Sequence, residues 1–149
     1  MTEPLAWAVK MSFRRYIQGA GGTVAVTAPA AEEGAFYVFP RATDSFADGE
    51  VRYLGAVRFA AHSGALDLLL ADPGVHFQDG RVALTVADPE QSDERITLAW
   101  LSEMEDAVAA PGRREFWPAL TEEGTRLFGG VYPTHALLDP VSFVPEWRG

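Results

Sequence analysis

The chain contains no cysteine. That excludes thiolate zinc sites, iron–sulfur clusters, thiol nucleophiles and disulfides together, so any metal here needs oxygen or nitrogen ligands. The absence of disulfides fits a reducing compartment. Positive charge is also scarce: 12 Lys and Arg stand against 21 Asp and Glu, a formal net charge of −9. No Lys/Arg-rich run offsets that field, so a nucleic-acid partner is set aside. Long apolar runs are missing too, which leaves no transmembrane segment. The first twenty residues lack a signal peptide, because Lys10 interrupts the hydrophobic stretch and Arg14 and Arg15 follow it. A cytoplasmic location is the simplest expectation if Met1 is native, and an extracellular or cell-surface fragment otherwise.

What remains is the composition of a soluble globular protein, with 48% hydrophobic and 22% charged residues. Residues 1–149 are the size of one domain with a single core and no linker. There is no internal repeat and no low-complexity tract. In LAWAVKMSFRRYIQG, residues 5–19, helical spacing puts Leu5, Val9, Ser12 and Tyr16 on one stripe, with Phe13 and Ile17 beside it. Lys10, Arg14 and Arg15 take the remaining arc. Pro4 suits a first turn, and Gly19, Gly21 and Gly22 supply a stop. The expected buried face then carries two hydroxyls, Ser12 and Tyr16, and buried hydroxyls need partners.

Beyond this segment the period changes to two. GTVAVTAP, AFYVFPRA, EVRYLGAVRFAAH, ALDLLLAD, RVALTVAD and RITLAWLS read as strands punctuated by Gly, Pro and Asp. A second short helix is predicted at LTEEGTRLFGG, capped by Thr121, with Glu122 and Glu123 at its positive end and Gly129 closing it. The fold class is therefore mainly β: an antiparallel sandwich or barrel-like sheet with two short α-helices. Residues 87–96 read as a charged hairpin or loop and 109–115 as another loop. From Val51 to His62, the odd positions Val51, Tyr53, Val57 and Phe59 are apolar, while Arg52, Arg58 and His62 share the even face. His62 thus points to solvent or to a ligand, at a strand end where His-Ser-Gly begins a turn. Tyr132 sits in a Gly/Pro-bounded loop, GGVYP, where binding residues are often carried.

Taken alone, each of these residues has a plain alternative. Tyr16 can be a packed ring with a surface hydroxyl, His62 an exposed strand end, Ser12 a side chain bonded back to the helix, and Tyr132 a loop anchor. His76 and His135 read as surface residues, with His135 close enough in sequence to Tyr132 to form a pocket wall. Arg14, Arg15, Arg52 and Arg58 read mostly as a solvated charged face. Trp7, Phe13, Phe59, Trp100 and Phe128 are most simply core.

Together, LAWAVKMSFRRYI, GAVRFAAHSGALDLLLADP, LTEEGTRLFGG and ALLDPVSF resemble the HtaA-type haem-binding domain of haem uptake and transport. The four motifs span nearly the whole chain in order. The resemblance implies an antiparallel β-rich fold binding one ferric haem b through a tyrosine. Carried over by motif, the iron ligand is Tyr16, the histidine bonded to its oxygen is His62, the serine associated with a propionate is Ser12, and the tyrosine lying against the haem is Tyr132. It also implies haem donor and acceptor proteins as partners and allows a homodimer through the haem faces. The chemistry agrees: phenolate is a hard ligand for ferric iron, and free tyrosine titrates near ~10, so the bound phenolate needs iron and a donor such as an imidazole N–H. Two other classes compete with this non-enzymatic carrier. One is a haem-dependent enzyme of peroxidase or catalase type, and the other is a β-rich binding module that has lost haem.

Overall fold

The computed structural model describes residues 3–43, 49–91, 93–105 and 112–145. In chain order the elements are β1 (Leu5–Trp7), α1 (Met11–Gly19), β2 (Thr23–Thr27), β3 (Ala31–Glu33), β4 (Phe36–Phe39), β5 (Glu50–Arg52), β6 (Ala56–Ala61), β7 (Leu66–Ala71), β8 (Gly74–Gln78), β9 (Arg81–Ala87), β10 (Arg95–Glu103), β11 (Arg114–Leu120), α2 (Glu122–Leu127) and β12 (Val141–Phe143). They form a nine-stranded sheet in the order β3-β4-β1-β12-β11-β10-β9-β8-β5 and a three-stranded sheet in the order β2-β6-β7. The strand pairs are antiparallel. The mainly β class with two short helices is as expected. Among the described residues no helix is long and apolar enough to cross a membrane.

The opening segment departs from the expected helix over residues 5–19. Leu5–Trp7 is a strand: Leu5 and Trp7 are buried with Ala6 between them, a period of two. It pairs Leu5 with Phe39 on one side and Trp7 with Val141 on the other. Val9 then turns the chain at φ 66°, and α1 begins at Met11. The start is set from the far end of the chain. Asp139 Oδ2 accepts from the Met11 N–H at 2.8 Å, and the Asp139 N–H donates to the Val9 carbonyl at 2.9 Å. A carboxylate thus fills the capping role that Lys10, at the N-cap position, has no side-chain oxygen to fill. Phe13 and Ile17 face the core, whereas Ser12 and Tyr16 are exposed, the reverse of the buried hydroxyl stripe predicted above.

The other expected elements fare better. All six predicted runs contain strands, and the odd positions Val51, Tyr53, Val57 and Phe59 are buried. The Val51–His62 run breaks between β5 and β6 at Gly55, where φ is 115° and a side chain would run into Ala30. Short β1, β3 and β12, together with β8 and β11, had no clear signal. The 87–96 segment contains the turn between β9 and β10. Of the loop predicted at 109–115, residues 109–111 lie outside the described residues, while Arg114 and Glu115 open β11. α2 has its predicted cap, the Thr121 Oγ1 accepting from Gly124 N–H at 2.9 Å, and Gly129 follows at φ 69°.

Trp7, Phe13, Phe59 and Phe128 are buried as expected, but Trp100 is only half-buried and carries the Arg81 guanidinium over its ring, 3.5 Å from the centroid. Phe13 is the hub beneath α1. Its ring meets Phe59 of β6 edge-on at 5.4 Å and Phe128, just after α2, at 5.3 Å. Truncating Phe13 to Ala is expected to cost about 3–5 kcal/mol of folding stability, read as a lowered urea midpoint with unchanged slope.

Candidate functional site

Helix α1 carries Tyr16 outward, three residues after buried Phe13 and one before buried Ile17. The Tyr16 side is 46% exposed. Its hydroxyl nevertheless has a partner: His62 Nε2 lies 2.7 Å away, with the two ring centroids 5.8 Å apart. That is a short, well-formed bond between two exposed side chains 46 positions apart in sequence.

His62 is not on the even face of a continuing strand with Arg58, as expected. β6 ends at buried Ala61, and His62 and Ser63 both adopt φ 55°, followed by Gly64 at 91°. Three successive left-handed residues reverse the chain into β7, closed by the Ala65 N–H donating to the His62 carbonyl at 3.1 Å. Left-handed backbone costs an L-residue about 1–2 kcal/mol. Two such residues side by side store strain at the group that meets Tyr16. A cleft of about 410 Å³ opens beside His62, lined by residues 20–23 and 60–64. Tyr16 stands outside that cleft and presents its ring to open surface.

The other predicted site residues are placed more loosely. Ser12 is exposed four residues before Tyr16 and makes no side-chain hydrogen bond among the described residues, so it is not bonded back to the helix. Tyr132 is half-buried against Phe13 at 6.2 Å and Phe128 at 5.9 Å. Lys10 Nζ sits 5.6 Å from the Tyr132 centroid and donates to the Leu137 carbonyl at 3.0 Å. Tyr132 therefore flanks α1 through Phe13 without touching Tyr16 or His62. His135 is exposed and His76 lies in β8, paired with Glu50.

The arginines divide. Arg14 turns inward: its Nη1 donates to the Ala35 carbonyl at 2.6 Å and its guanidinium lies 4.5 Å from the Tyr37 centroid. Arg58 holds Asp67 through two bonds of 2.8 and 2.6 Å, and Arg52 meets Glu50 at 3.3 Å. Arg15 is exposed and makes no ion pair among the described residues.

Tyr16 is set apart from the chain's other tyrosines by access. Of four tyrosines, Tyr37 and Tyr53 are buried and Tyr132 is half-buried. Burial pushes the Tyr37 phenol up against the opposing pull of Arg14, so that ring stays neutral. Only Tyr16 combines exposure with an imidazole on its oxygen. A hard oxygen ligand with an adjoining proton acceptor can bind a Lewis-acidic ferric centre from solvent. Among the described residues there is no group of three or more His, Cys, Asp or Glu able to hold a bare metal ion. The site suits a single protein ligand to a metal already held by another chelator.

The HtaA family model, described as Htaa, matches residues 2–144. The N-terminal domain of HtaA from Corynebacterium glutamicum superposes with a TM-score of 0.74 at 25% identity, covering 97% of each chain. Heme binding protein HtaB from the same organism gives 0.74 at 20% identity over 95% of this chain and 90% of that one. The C-terminal domain of HtaA gives 0.68 at 21% identity, covering 95% of this chain and 94% of the other. Among curated proteins no sequence matches.

The left-handed turn can be relaxed without removing either ring. Ser63→Gly is expected to raise stability by about 0.5–1 kcal/mol, the relief of left-handed strain less the extra chain entropy of glycine, in a urea titration.

Proposed function

The chain belongs to the HtaA family, and from that premise we propose that it is a carrier of ferric haem b held through the phenolate oxygen of Tyr16. The observation that carries this reading is the 2.7 Å bond between the exposed Tyr16 hydroxyl and His62 Nε2. Two similar domains support it, one of them named for heme binding. Haem, when bound, supplies a ferric Lewis acid that favours the anionic form of the phenol.

The chain's own residues do the rest. Tyr16 must lose its proton, and His62 is placed to take it at Nε2. With the phenol deprotonated, the same nitrogen donates back to the oxygen and orients its lone pairs. Because His62 is exposed, the surplus proton can pass to solvent from Nδ1. Ser12, free and one turn before Tyr16, is available to donate to a propionate, and exposed Arg15 is the nearby cation without an ion pair. Tyr132, half-buried beside the same helix, packs on the porphyrin edge in this reading. Residues 1–149 act as one haem-binding domain, exchanging haem with donor and acceptor proteins. Reprotonation of the phenol, or reduction of the metal, releases the hold.

We read this as a carrier rather than a catalyst; peroxide turnover well above that of free haem would argue the other way.

Titration of the purified protein with ferric haem, followed by absorption, tests the reading. A saturable high-spin tyrosinate spectrum is expected, lost in Tyr16→Phe; an unchanged spectrum in that variant would sink it. His62→Ala is expected to keep Tyr16 as ligand but to bind roughly 10- to 100-fold more weakly, the usual effect of removing a partner of a metal ligand.

A further inference from the structure

β2 is an open edge. β6 pairs with one side of it, register Ala25 to Arg58, and among the described residues no strand pairs with the other. Soluble proteins usually protect such an edge with charge, proline, a bulge or a cover. Thr23–Thr27 has none of the first three: the strand is uncharged throughout, in a chain of net charge −9, and four of its five residues are exposed.

The strand also reads the same in both directions, Thr-Val-Ala-Val-Thr. If β2 pairs antiparallel with β2 of a second copy about a two-fold axis at Ala25, Thr23 meets Thr27, Val24 meets Val26, and Ala25 meets itself. Every residue then finds its own kind, which is the self-complementarity an isologous interface requires. Threonine and β-branched cross-strand pairs are among the favourable ones.

Both faces of the strand suit that seam. On the inner face Val24, 43% exposed, and Val26 stand at the mouth of a groove of about 260 Å³ walled by Ile17 and Tyr37, with Arg14, Gln18 and Glu32 also on its lining. The partner's two valines would extend over it. On the outer face Ala25 lies opposite Arg58, whose charge Asp67 meets at 2.6 Å, and on the inner face Arg14 and Glu32 meet each other at 3.4 Å.

We infer that β2 is the docking edge for a second copy of this chain, joining two three-stranded sheets into one of six strands with β2 against β2 at the centre. Five residues a side fall short of the roughly 1,200 Å² that stable complexes bury, so the dimer is weak and concentration-dependent. Thr23 pairs with Ala60, next to the turn that carries His62, so the two Tyr16–His62 pairs lie at opposite ends of the seam. This dimer is independent of the haem reading.

The cysteine-free chain allows a register-specific test on the apo protein. In an antiparallel pair, opposed Cα atoms lie about 4.5–5.5 Å apart, within disulfide reach. Under mild oxidation Ala25→Cys is expected to cross-link with itself. Thr23→Cys alone should not cross-link, and Thr23→Cys mixed with Thr27→Cys should form the mixed disulfide. Sedimentation equilibrium of the unmodified chain should show a monomer–dimer equilibrium, weakened at least about tenfold in Ala25→Asp, where two carboxylates would oppose each other. Circular dichroism of each variant checks its fold. A chain that stays monomeric at about millimolar concentration overturns the inference, since a five-residue seam should be half-formed by then. So does Ala25→Cys cross-linking no faster than Thr23→Cys, or a dimer indifferent to Ala25→Asp, as a domain swap would be.

Discussion

Asp139 determines where helix α1 begins, and the exposed pair at the other end of that helix depends on it. Its carboxylate caps Met11, its N–H holds the Val9 carbonyl, and its own carbonyl accepts the Trp7 indole N–H at 2.8 Å. Three bonds from one residue force the chain out of β1 and into the helix within three residues. A helix begun at Leu5 would have set Leu5 and Trp7 about 200° apart around its axis, whereas the strand buries both on one face. Starting at Met11 sets Phe13 and Ile17 inward, and 100° per residue then leaves Tyr16 facing solvent. The aromatic hub under Phe13 fixes the depth and direction of the helix, so the Tyr16 oxygen is placed by packing that lies wholly outside the site.

This geometry explains what could be read from the chain and what could not. Most of the runs from Thr23 to Glu103 announce strands because they pack one face on the core, and α2 announces itself because its cap, Thr121, is local. The boundary between β1 and α1 was invisible because the capping oxygen is 128 residues away and Leu5 and Val9 fall on the same helical stripe as Ser12 and Tyr16 by accident. Short β1, β3 and β12 carry too few residues to show a period. The left-handed turn at His62 likewise has no local signature: His-Ser precedes Gly64, but only Gly64 advertises positive φ. Tyr16 and His62 became a pair through motif resemblance, and the contact between them is a tertiary fact. Ser12 and Tyr132 have less geometric support, since among the described residues neither side chain has a hydrogen bond or ring contact to that pair.

The turn at His62 shows how the scaffold treats its two rings differently. Tyr16 rides on a helix clamped by aromatic packing, whereas His62 rides on backbone in a conformation that most sequences avoid. A strand continuing past Ala61 would carry residue 62 away along the sheet; the left-handed reversal brings its imidazole back over α1. The strain persists because β6 and β7 are locked in register from Ala56–Ala71 to Ala61–Leu66 on either side of it. The three-stranded sheet therefore supports the imidazole at the end of β6, and among the described residues no strand pairs with the outer edge of β2.

Exposure of Tyr16 bears on the proposed carrier role more directly than any single contact does. A ligand oxygen sealed in a core would hold a bound metal tightly and exchange it slowly, since release would need the core to open. Here the phenol stands on a rigid platform with nearly half its surface in water, so a receiving protein can approach the same face without unfolding anything. Affinity must then come from the oxygen and its partner rather than from enclosure. That requirement gives His62 its importance: on an open surface, where water competes for every hydrogen bond, a phenolate needs a donor held at fixed range to remain the preferred ligand. In the proposed carrier the strained turn would supply that fixed range at a modest cost in stability, while the open surface would keep the exchange reversible.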